Sequence, residues 1–62
     1  MKYLIDYSIN DHVDVYPYDN DDFMEFAGVV EDFDTDNNLL LVRDVDSDEV
    51  YTVSPKQCKF TN

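Results

Sequence analysis

The chain has 62 residues, of which 44% are hydrophobic and 15% aromatic, and its 15 acidic residues against four lysines and arginines give a formal net charge of −11. This length allows one domain with a lean core, since a chain of this size buries only about 60% of the surface it exposes when unfolded, and the apolar content is too high for disorder by composition. The single cysteine, Cys58, excludes an internal disulfide and a cysteine-based zinc cluster, so packing and strand pairing must hold the fold, and no cofactor is expected.

A lone thiol suits a reducing compartment. No apolar run approaches the roughly 20 residues of a membrane span, and the start Met1-Lys2-Tyr3-Leu4-Ile5-Asp6 breaks its apolar stretch too early for a secretory signal. A cytoplasmic protein with no membrane contact is expected. Lys2 lies at one end, Lys56 and Lys59 at the other, and Arg43 alone between them, so the middle of the chain is an acidic field. Such a field repels a phosphate backbone, which argues against direct nucleic-acid binding. It either solubilises a small domain or matches a basic partner.

In chain order, Tyr3, Ile5, Tyr7 and Ile9 alternate with Lys2, Leu4, Asp6 and Ser8, a period of two that predicts a half-buried strand, here an added edge strand. Asn10-Asp11 punctuates it. Val13 and Val15 alternate with Asp14 and Tyr16 in a second short strand, which Pro17 ends because proline cannot donate to a sheet ladder. The polar run Tyr18-Asp19-Asn20-Asp21-Asp22 is expected as a loop over a barrel mouth, leading to Phe23-Met24-Glu25-Phe26.

Phe26 to Phe33 suits a third strand, and Gly28, the only glycine, stands where a bulge or a sharp bend would need one. Asp34-Thr35-Asp36-Asn37-Asn38 is a turn. Leu39 to Asp44, a short apolar run between turn signals, reads as a central strand, and Asp46-Ser47-Asp48 turns the chain again. Glu49 to Val53 is β-branched and aromatic. Pro55-Lys56-Gln57 suits a one-turn helix after Ser54, and Cys58-Lys59-Phe60 closes as a last short strand. The expected class is all-β: a small barrel of five short antiparallel strands, with an extra N-terminal strand and one 3₁₀ turn near residues 55–57.

The order Val13-Asp14-Val15, a loop, Phe26-Ala27-Gly28-Val29-Val30, a hairpin, Leu41-Val42-Arg43-Asp44, an acidic turn, Val50-Tyr51-Thr52-Val53 and Pro55-Lys56-Gln57-Cys58 resembles the SH3-like barrels of Tudor and KOW type over residues 12–60. The resemblance implies a five-stranded barrel whose last strand follows a 3₁₀ turn. Members of that group are adaptors, peptide readers and nucleic-acid readers, so the resemblance informs fold more than function. In Tudor-type barrels, loops at these positions supply an aromatic cage, which here would draw on Tyr16, Tyr18, Phe23 and Tyr51. Aromatic faces attract cations by about 0.5 to 2 kcal/mol per contact, and Asp44, Asp46 and Asp48 would reinforce that preference. The plainer alternative makes Phe23 and Tyr51 core or rim residues.

Asp32, Asp34 and Asp36 match the opening of an EF-hand loop, and Asp44, Asp46 and Asp48 repeat the spacing. The glycine and glutamate such a loop needs at its sixth and twelfth positions are replaced by Asn37 and Arg43, so hairpin turns are expected and no specific metal site. His12 has no nucleophile near it in sequence, and Cys58 alternates with Phe60 as a small buried hydrophobe would. No enzyme is expected. Two functions compete. One is an interaction module docking on a basic protein or peptide through the acidic and aromatic loops. The other is an acidic inhibitor that mimics a nucleic acid, as small phage-encoded inhibitors do. A mimic would spread its carboxylates along an elongated face; a reader would group them beside an aromatic pocket. The chain is expected as a monomer, or as a weak homodimer through the Tyr3 to Ile9 edge.

Overall fold

The computed structural model describes residues 6–61. Five strands, β1 (His12–Val15), β2 (Phe26–Asp34), β3 (Leu39–Asp44), β4 (Val50–Val53) and β5 (Cys58–Phe60), form one antiparallel sheet in the order β4-β3-β2-β1-β5. A 3₁₀ helix, Pro55–Gln57, stands between β4 and β5. The all-β class, the five short strands and the 3₁₀ turn at 55–57 thus agree with the expectation. The sheet is not closed into a barrel: its edges, β4 and β5, share no ladder and are joined through Ser54 and the 3₁₀ helix.

Aliphatic side chains at alternate positions drive the pairing. Val13, Val15, Val30, Leu40, Val42, Val53 and Cys58, drawn from all five strands, meet with Tyr7 in one buried cluster, which a single sheet can assemble only by curling over it. Burying each such valine or leucine stabilises the fold by roughly 1.5–3 kcal/mol before chain entropy is set against it. Phe23, Phe26, Phe33 and Tyr51 pack against this core from its margin.

A bulge in β2 keeps both halves of that strand on the core. Val30 pairs with Val42 and Asp32 with Leu41, so Glu31 is the extra residue, and the strand changes phase there: Val30 and Phe33, three residues apart, oppose the buried Val42 and Leu40. Glu31 is left free to accept from Arg43 Nε at 2.8 Å, while Arg43 Nη1 reaches Asp48 at 3.1 Å. Both acidic partners hold the guanidinium above its ordinary pKa, the hydrogen bond from Glu31 contributing most. The bulge therefore lies past Gly28, which serves a different purpose. A Cβ there would overlap Val42 Cγ1 and approach the Arg43 carbonyl to 2.9 Å and the Phe26 ring to 3.1 Å, so the β2–β3 approach needs a residue with no side chain.

The turns use Asn and Asp as local chemistry favours. Asn10, Asn38 and Asp48 have φ of 73°, 56° and 63°, the left-handed region these residues tolerate best after glycine. Asp34 and Asp44 serve the turns, Asp34 accepting from the Asn37 backbone and side chain and Asp44 from Asp46 N, while Asp32, beside the bulge in β2, accepts from Phe33 N.

The expected N-terminal strand differs. Tyr3 to Ile5 lie outside the described residues; from Tyr7 onward the chain is not a strand but runs irregularly into a turn at Ile9-Asn10. The reason is Tyr7, whose buried hydroxyl donates to the carbonyls of Pro55 and Cys58 at 3.1 and 3.0 Å, and whose ring stacks on Phe60 at 5.0 Å. Burial, then the proximity of Cys58 and Asp6, pushes its phenol up to about 12. Among the described residues no helix is long and apolar enough to cross a membrane.

Candidate functional site

The segment from Tyr16 to Glu25 spans β1 to β2 without regular structure, and a buried amide positions its first half. Gln57 Nε2 donates to the Tyr16 carbonyl at 3.0 Å and to Asp21 Oδ2 at 2.9 Å, while its Oε1 accepts from Ser54 N, the return half of a capping box on the 3₁₀ helix. Asp21 also accepts from Tyr18 N and closes the turn over Tyr18–Asp21. The second half of the segment then returns across the sheet and lays Phe23 on Phe26 and Tyr51.

These rings form the floor of a cleft of about 670 Å³. Their centroids lie 5.5 Å apart for Phe23 and Phe26, 5.3 Å for Phe23 and Tyr51, and 4.9 Å for Phe26 and Tyr51. The polar lining is entirely acidic: Asp14, Asp22, Glu25, Asp44 and Asp46, with no lysine, arginine or histidine. Asp44 accepts from Asp46 N and Asp14 from Thr61 Oγ1, whereas the carboxylates of Asp22, Glu25 and Asp46 have no hydrogen-bond partner among the described residues. Tyr51 donates its hydroxyl to Glu49 at 2.8 Å, and that bond is the main cause of its raised pKa. Met24, 86% exposed, stands at the lip.

Of the residues singled out in the sequence, Phe23, Asp44, Asp46 and Tyr51 come together here. Tyr16, Tyr18 and Asp48 do not. Tyr16 lies under Lys59, whose Nζ is 5.5 Å from the ring centroid; Tyr18 is exposed in the loop turn; Asp48 is committed to Arg43. Phe26, Asp14, Asp22 and Glu25 were not marked in advance. The signal for Phe26 was present in Gly28 two residues on, whose open position lets the ring lie inward. His12 is exposed at the start of β1 and outside the cleft, and the Cys58 thiol is buried against the Ser54 carbonyl at 3.7 Å. Among the described residues no group of three or more acidic, histidine or cysteine side chains is placed to hold a metal.

Comparison with family models, curated proteins and solved structures gives no match, so the reading of this cleft rests on its geometry.

Proposed function

We propose that this chain is a non-enzymatic interaction module that docks on a basic protein or peptide, taking a cationic side chain into the cleft over Phe23, Phe26 and Tyr51. One observation carries the reading: an aromatic floor meets a wall whose charged side chains are all carboxylates, three of which are unpartnered among the described residues. A cation over those ring faces gains from their quadrupoles and at the same time relieves the repulsion among the carboxylates. The five-stranded order, with a 3₁₀ turn before the last strand, supports an SH3-like relationship of Tudor or KOW type. The cytoplasm suits a chain whose one thiol, Cys58, is a packed core residue.

The acidic groups of the cleft lie beside aromatic rings, and the principal extents of 25, 24 and 20 Å give no elongated face among the described residues, both of which favour the reader over the nucleic-acid mimic. The test is a titration of labelled basic peptide into the wild type, Phe23→Ala and Tyr16→Ala. Weakened binding for Phe23→Ala with Tyr16→Ala unchanged supports the cleft; equal affinity for all three chains refutes it.

A further inference from the structure

The rings of the cleft touch one another instead of surrounding a gap. Two ring faces enclosing a cation would stand roughly 7 Å or more apart, the sum of two van der Waals contacts, whereas the centroids of Phe23, Phe26 and Tyr51 lie 4.9 to 5.5 Å apart. The three planes are inclined to one another by 71°, 44° and 40°, so the rings make a packed, faceted floor with no gap between them for a cation to enter, and a ligand rests on top of it. The Tyr51 hydroxyl donates its proton to Glu49, so the side-chain groups the cleft offers a ligand, its carboxylates above all, accept hydrogen bonds and do not donate them.

A planar cation with donors in its own plane meets both demands at once. Its face stacks on the rings while its N–H groups reach sideways to the acidic rim. An ammonium on a flexible stem is a compact, strongly hydrated charge and satisfies only the charge. Resting on the reading of the cleft as a basic-ligand site, we infer that it selects an unmethylated arginine side chain of its partner over lysine and trimethyllysine. Methylation of the guanidinium keeps the charge but removes donors, so dimethylarginine also binds more weakly.

The experiment is fluorescence anisotropy with labelled Gly/Ser peptides that differ only in carrying arginine, lysine, trimethyllysine or dimethylarginine at the same positions. Each is titrated into the wild type and into the Asp22→Asn/Asp46→Asn variant, whose altered side chains make no hydrogen bond within the described residues, so the fold stays intact. The expected result is binding of the arginine peptide about tenfold tighter than the lysine peptides in the wild type, the added strength of forked charge-assisted hydrogen bonds, with the preference falling toward parity in the variant. Lysine or trimethyllysine binding as tightly as arginine overturns the selectivity and leaves the basic-ligand reading standing. An arginine preference undiminished in the variant overturns the role given to these carboxylates. Failure of all four peptides to bind overturns both readings.

Discussion

The rings of Phe26 on β2 and Tyr51 on β4 meet with centroids 4.9 Å apart, although β3 lies between their strands in the sheet. The sheet curls enough for this contact, and Gly28 leaves the inner face open beside Phe26 and Val42. Core packing and the cleft floor are thus one structure, and a change to either reaches the other.

Gly28→Ala tests that dependence. The added methyl overlaps the Val42 side chain and crowds backbone at the Arg43 carbonyl, so strands must shift. Overpacking of this kind destabilises by roughly 1–3 kcal/mol. Urea denaturation should show that loss, and the ring resonances of Phe26 and Tyr51 should move together.

Tyr7→Phe keeps the ring against Phe60 and removes the donor shared by Pro55 and Cys58. Leaving buried carbonyls without that donor costs about 1–3 kcal/mol. The pH dependence follows from the raised phenol. Its folded pKa of about 12 lies above the ordinary 10, so its contribution is fully present below pH 10 and is lost as pH rises toward 12. The wild type should lose stability over that window, and Tyr7→Phe should show a smaller slope in pH-dependent denaturation.

Gln57→Ala cuts the bonds to the Tyr16 carbonyl, Asp21 and Ser54 N together. The expected destabilisation is again about 1–3 kcal/mol, with amide exchange rising first at Tyr18 and Asp21, whose turn the glutamine holds. Exchange that rises uniformly instead would mean that the loop is held by other contacts.

A net charge of −11 opposes compaction and is screened by salt. Raising sodium chloride from about 0.05 to about 0.5 M should raise the melting temperature, a gain of about 1 kcal/mol corresponding to roughly 4–8 °C for a domain of this size. A melting temperature that falls would mean that specific ion pairs, such as Arg43 with Glu31 and Asp48, outweigh the general repulsion.

Much of the fold was legible because turn chemistry and alternation are local. Leu39 to Asp44 is bracketed by Asn and Asp residues, Ser54-Pro55 marks the 3₁₀ start, and each lies where expected. Gly28 reads from the sequence as a bulge or a sharp bend, and the bulge at Glu31 escapes that reading because a phase change becomes visible only once Val30 and Phe33 are matched to β3. Tyr7 read as one member of an alternation because its acceptors, Pro55 and Cys58, stand 48 and 51 residues away. The cleft was half legible for a similar reason. Phe23 and Tyr51 could be marked as aromatic residues flanking acidic turns, but which loop tyrosines join them depends on Gln57, which fixes the loop so that Tyr16 packs with Lys59 instead.

Docking of an arginine side chain in the cleft can be followed through the amide and ring resonances of the isotope-labelled chain as an arginine-bearing peptide is added. Saturable shifts are expected at Asp22, Phe23, Phe26, Asp44, Asp46 and Tyr51, with Tyr16, Tyr18 and Asp48 unmoved. Shifts centred on those last three residues, or spread evenly over the acidic surface and abolished by salt, would contradict docking in the cleft.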